Sequence, residues 1–182
     1  GKWHLGLEWE GGKKAYMSRI VDGPTDHGFD YYFGTRVPNF PPYCFIENNH
    51  TVGKPTARKD SKDLDGQPGP MLPGWRFDQI LPKITEKAVD YIEQQRGRDQ
   101  PFFLYFALTS PHEPVAPSPR FAGKSGISAI ADFVMETDWA TGQVVDAIDR
   151  CGFGENTLVI FTADNGHSTY TNIESLLEHG HK

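Results

Sequence analysis

"PFFLYFALTSPHEP", residues 101–114, is the stretch on which the fold is read. Pro101 to Leu108 is a nearly continuous apolar run, rich in aromatics and of strand length. Such a run reads as a strand buried on both faces, as in a parallel sheet covered by helices. A second run of the same kind, "NTLVIFTADNG", occupies residues 156–166. Both leave the apolar stretch on polar residues, "TSPHEP" in the first and "ADNG" in the second.

Working outward, a helical pattern precedes each run. The first begins near Pro82, which the opening turn of a helix tolerates because an N–H there has no partner in any case. Ile84, Ala88, Tyr91 and Ile92 keep helical spacing, and Gly97 suits a C-terminal cap. The second covers Ile127 to Arg150, with Ile130, Phe133, Val134, Val144, Val145 and Ile148 assigned to its inward side and Gly152 as its stop. The order helix, strand, helix, strand predicts an α/β fold, a mostly parallel sheet covered by helices. Ligands of such sheets sit beyond the carboxyl ends of the strands, so the polar ends of both runs are expected at one edge.

Composition limits the function classes. With 182 residues, 37% hydrophobic and 13% aromatic, the chain is long and apolar enough for a core, and it is read as one domain, 1–182. The net charge of -6 and the lack of a basic stripe argue against a nucleic-acid partner. No apolar run approaches the ~20 residues of a membrane span. Cys44 and Cys151 form no metal or redox motif, and their spacing lends no support to a disulfide. Residues 37–74 are rich in Pro, Gly and Asn and read as a loop-rich insertion. Within it "YCFIENN" (43–49) reads as a short edge strand and "KDSKDLDG" (59–66) as a solvated tip.

Five residues are candidates for chemistry. Asp164 and Asn165 offer adjacent carboxylate and amide oxygens, hard ligands for Ca²⁺ or Mg²⁺, although Asp-Asn-Gly is equally good turn chemistry. His112 lies between Pro111 and Glu113-Pro114; it is either a loop histidine or a group that binds an anion or moves a proton. At the start, "GKWHLG" places Lys2 and His4 two apart, on one side of an extended backbone. They can face a single anion, or be an ordinary solvated lysine and histidine. Together the five suggest an oxyanion site with a divalent cation.

"GKWHLG" resembles the second signature of the sulfatases, the formylglycine-dependent branch of the alkaline-phosphatase-like fold. "HGFDYYFG" (27–34), "YCFIENN", "PFFLYFALTSPHEP", "FAGKSG" (121–126), "DFVMETDWATG" (132–142) and "NTLVIFTADNG" are similar to the arylsulfatase pattern in the same order. The resemblance implies a sulfuric ester hydrolase acting on a small-molecule or glycan sulfate ester in a periplasmic, secreted or lysosomal setting. It implies that Lys2 binds the sulfate and the formylglycine, His4 assists sulfate release, and His112 holds the sulfate or assists the leaving oxygen. Asp164 and Asn165 would be two ligands of Ca²⁺ or Mg²⁺. The C/S-x-P-x-R motif from which formylglycine is made does not occur within residues 1–182. Nor do the paired aspartates that complete the metal site, and Lys182 sits too early to stand for a later family lysine. The chain is therefore expected to be an internal fragment of one sulfatase domain, inactive alone. A phosphate- or phosphonate-ester hydrolase of the same fold and a non-catalytic binding module are the alternatives. His167, His179 and His181 are further histidines near the ADNG turn or the chain end.

Overall fold

The structure, a computed structural model, describes residues 1–12, 15–60, 66–166 and 177–180. Two helices form its framework. α1 (Ile80–Glu93) carries Pro82 in its first turn and buries Ile84, Ala88 and Ile92 of the expected stripe, with Tyr91 half-buried and Ile80 and Leu81 buried ahead of it. α2 (Ala129–Arg150) starts at Ser128, whose hydroxyl accepts the Ala131 N–H at 3.3 Å and caps one of the free donors of the first turn. Gly152 follows the helix with a φ of 80°, a left-handed conformation that glycine adopts without a Cβ clash. The helices pack against each other where α2 presents the fully buried Ala147, and Ile92, Ala147 and Ile148 form one core cluster.

The described residues also form seven short strands. β1 (Glu8–Trp9) pairs with β2 (Ile20–Val21). β3 (Phe33–Gly34), β4 (Ile46–Glu47) and β5 (His50–Thr51) form a three-stranded sheet in that order. β6 (Ala57–Lys59) pairs with β7 (Gly69–Met71). All three ladders are antiparallel. Parallel pairing is confined, among the described residues, to the bridges Lys2–Thr35 and Tyr43–Met71. "YCFIENN" therefore supplies β4, the middle strand rather than an edge, and residues 61–65 of the expected solvated tip lie outside the described residues.

The two apolar runs depart from expectation. Residues 101–110 form no ladder. Phe102, Leu104, Phe106 and Leu108 pack on the helix clusters, whereas Phe103 is 76% exposed and Tyr105 is exposed too. The run is strand-like in its alternation but buried on one face only. Leu158 to Phe161 are exposed on both, with Leu158 at 85%. The physical reason is pairing. An apolar run encodes a preference for burial, but a strand is closed only by backbone partners on its flanks. Among the described residues Lys2 alone donates a backbone hydrogen bond to the first run, at Ala107.

α2 also rotates against its expected face. Phe133 and Ile148 are buried, but Val134 and Val145 turn to solvent while Asp132 and Glu136 are buried. Both carboxylates serve as acceptors for loop backbone, which explains an inward position that charge alone would disfavour.

Candidate active site

The amino-terminal segment is built into the fold. Gly1 N donates to the Phe33 carbonyl, Thr35 N–H to the Gly1 carbonyl at 3.1 Å, and Trp3 N–H to the Thr35 carbonyl at 3.3 Å. The Lys2 amide points the other way and donates to the Ala107 carbonyl at 2.9 Å. Residues 1–3 thus lie between 33–35 and the end of the 101–108 run. A Cβ on Gly34 would stand 1.7 Å from the Gly1 carbonyl oxygen, so only glycine allows this approach. The Tyr32 hydroxyl lies 2.8 Å from the Gly1 carbonyl oxygen and 2.7 Å from that of Thr35, fastening both segments. Burial pushes its phenol far above the ordinary range.

Trp3 is buried, stacks on His27 with centroids 5.9 Å apart, and gives its indole N–H to the Gly6 carbonyl at 2.8 Å. Trp3 is the inward residue of this segment, and Lys2 and His4 are its immediate neighbours in the chain. Lys2 is half-buried and His4 exposed. Lys2 also borders a groove of about 340 Å³ lined by Tyr31, Phe33, Tyr91 and Phe102.

Five residues beyond the Ala107 hydrogen bond stands His112, exposed, with its Nδ1 2.7 Å from the Glu113 carbonyl oxygen. That contact fixes one ring nitrogen and leaves Nε2 for a ligand. Asp164 and Asn165 are exposed at the end of the second run. The Asn165 amide nitrogen donates to the Gly166 carbonyl at 2.7 Å, so its side-chain oxygen stays available as an acceptor. Among the described residues no hydrogen bond or ion pair joins Asp164 or Asn165 to Lys2, His4 or His112. No cluster of three His, Cys, Asp or Glu side chains is placed to hold a metal among the described residues. The Asp164–Asn165 pair fits a hard cation in ligand type but supplies only part of the ~6–8 oxygens that Ca²⁺ takes. His179 is exposed; His167, His181 and Lys182 lie outside the described residues.

The sulfatase family model matches residues 1–182. The chain belongs to the sulfatase family. It is 32% identical to an N-acetylgalactosamine-6-O-sulfatase of Bacteroides thetaiotaomicron, over 91% of this chain and 39% of that one. It is 33% identical to human arylsulfatase A, over 93% of this chain and 32% of the relative. A solved structure from work on the metabolism of multiple glycosaminoglycans by Bacteroides thetaiotaomicron superposes with a TM-score of 0.80 at 29% identity. It covers 98% of this chain and 45% of the other. The chain thus spans less than half the length of these relatives. This likeness supports the α/β class of a partial sulfatase domain.

Two residues of this sulfatase-family chain escaped the sequence reading. Asp132 accepts the Gly123 and Ser125 N–H groups, each at 2.7 Å, and the Ser125 hydrogen bonds above all hold its carboxyl below the usual carboxylate range. Glu136 accepts the Ser118 N–H at 2.7 Å. The signal that could have pointed to them is that Asp132 and Glu136 lie one turn apart on a helix that follows the irregular stretch 111–126, whose remaining N–H groups at Ser118, Gly123 and Ser125 have no ladder to join.

Proposed function

We propose that residues 1–182 carry the anion-handling part of a sulfuric ester hydrolase active site, with a sulfated glycan as the substrate class. The Lys2 amide bonded to the Ala107 carbonyl carries this reading, because it sets the "GKWH" segment beside the run that leads into "TSPHEP". Lys2 offers a compact fixed positive charge to the sulfate oxygens. His112, with Nδ1 engaged, presents Nε2 to hold the sulfate or to give a proton to the leaving oxygen. His4, two residues on from Lys2, handles the proton that accompanies sulfate release. Asp164 and Asn165 would hold one side of a Ca²⁺ or Mg²⁺ ion, which supplies charge stabilisation to the sulfate oxygens when bound. The family's formylglycine supplies a covalent nucleophile, and no residue of 1–182 sits in the motif that makes one. The single-domain reading, with 37–74 as an insertion shaping the pocket mouth, and an exported or lysosomal setting belong to the same proposal.

Relatives from a bacterium and from mammals bear the name N-acetylgalactosamine-6-sulfatase, which makes a 6-sulfated amino sugar the first substrate to test. The complete gene product, with Ca²⁺, is offered 6-sulfated N-acetylgalactosamine and the matching 6-phosphate. The reading expects kcat/KM at least 10-fold higher for the sulfate. Faster turnover of the phosphate, or none of any sulfate ester, overturns it.

A further inference from the structure

The loop that carries His112 is held from one turn of α2. Thr137 and Ser110 share a hydroxyl–hydroxyl hydrogen bond of 2.7 Å at the start of the loop. Glu136 Oε2 accepts the Ser118 N–H at 2.7 Å at its end. Between these points Val115 packs on the cluster that contains Phe133 and Ala140 of the same helix. Both loop ends are buried, at Ser110 and at Ser118, while His112 itself is exposed.

Inside the loop, among the described residues, the His112 Nδ1 contact with the Glu113 carbonyl orients the ring on its own backbone but does not tie the loop to the rest of the fold. Pro111, Pro114, Pro117 and Pro119 have no N–H to donate, so the stretch forms no ladder. Glu136 is fully buried, and its Oε1 has no hydrogen-bond partner among the described residues. A carboxylate in that position calls for a role beyond packing. Asp132, one turn earlier on the same face, continues the pattern by holding Gly123 and Ser125.

We propose that Glu136 and Thr137 are positioning residues, two adjacent side chains of α2 that clamp both ends of the 110–118 loop and thereby aim His112. The proposal rests on the reading of His112 as a group that contacts the sulfate ester. A clamp of this kind acts through His112 alone. Its removal costs activity when His112 is present and costs nothing more when His112 is already gone.

The test uses the complete gene product with Glu136→Ala, Glu136→Gln, Thr137→Val and Thr137→Ser, each in the wild-type and the His112→Ala background. Sulfate-ester kcat/KM and amide hydrogen exchange are measured together. Glu136→Ala and Thr137→Val are expected to speed exchange at Ser118, the loop amide whose N–H Glu136 accepts, at least 10-fold while amides in the middle of α2 keep their protection. Their kcat/KM falls at least 10-fold in the wild-type background and less than twofold in the His112→Ala background. Glu136→Gln and Thr137→Ser, which keep an acceptor and a hydroxyl, restore loop protection and activity to within about threefold. Equal fractional losses in both backgrounds, or lost activity with unchanged loop exchange, overturn the proposal. Loosened loop exchange with full activity overturns it equally. If Glu136→Ala does not fold, the Thr137 pair decides by the same criteria. A wild-type protein without sulfate-ester turnover defeats the sulfatase reading, and the exchange data then judge the clamp by themselves: unchanged loop exchange rejects it.

Discussion

Ile92→Ala tests the helix framework on which the 101–108 run rests. Ile92 has no exposed surface and sits with Ala147, Ile148, Val144, Phe102, Leu104 and Phe153. The change removes three carbons, and at ~0.8 kcal/mol for each the transfer loss alone is about 2.4 kcal/mol. The cavity term adds to this. Ala147 is already small and cannot grow into the space, so the site collapses poorly and the cost belongs in the middle of the ~2–5 kcal/mol range for such substitutions. About 3–4 kcal/mol corresponds to a fall in Tm of roughly 10 °C for a domain of this size. The control is Leu158→Ala, which deletes a comparable side chain at a position 85% exposed. It is expected within about 0.5 kcal/mol of wild type. Both are measured by urea denaturation as a shift in midpoint at constant m. A cost below about 1 kcal/mol for Ile92→Ala refutes the packing argument. A Leu158→Ala cost equal to that of Ile92→Ala shows instead that the 157–161 run is buried in solution.

Further outcomes follow from the same contacts. Asp132 has a lowered carboxyl pKa in the fold, so its contribution is present above the ordinary carboxylate value and is lost as pH falls through the folded one. The stability gap between wild type and Asp132→Asn is therefore full near neutrality and closes in strong acid; a gap that widens on acidification contradicts the Gly123 and Ser125 contacts. Burial pushes the Cys44 thiol up to about 12, while Cys151 is half-buried. A thiol reagent at pH 8 should label Cys151 well before Cys44, and mass spectrometry reads the order. Asp164→Ala in the complete gene product should raise the Ca²⁺ concentration needed for half-maximal activity; an unchanged requirement removes Asp164 from the cation site. Residues 1–182 alone should give no sulfate-ester turnover above background.

The helices were legible in the sequence because their apolar residues recur at helical spacing and their ends carry punctuation such as Pro82 and Gly152. Their orientation was less so. Charge is normally assigned outward, and only the needs of Ser118, Gly123 and Ser125 explain why Asp132 and Glu136 face in while Val134 and Val145 face out. The two apolar runs show a different limit. Composition records what a segment favours, and the partners that close a strand are a property of the whole fold. Thus Phe102 to Leu108 is buried on one face and Leu158 to Phe161 on neither. Of the candidate site, the inward position of Trp3 in "GKWHLG" is seen in the structure. The closeness of "GKWH" to "TSPHEP" does not follow from any local pattern; it depends on Lys2 bonding to a residue far along the chain.

The most direct measurement is the sulfate-ester kcat/KM of the complete gene product carrying Lys2→Ala or His112→Ala. Lys2 keeps its backbone bond to Ala107 and His112 is exposed, so each variant should fold with a Tm close to wild type. Losses of about 10²-fold or more in both, with Tm preserved, are the predicted result. Retention of near wild-type turnover in either would contradict the assignment of these side chains to the sulfate site.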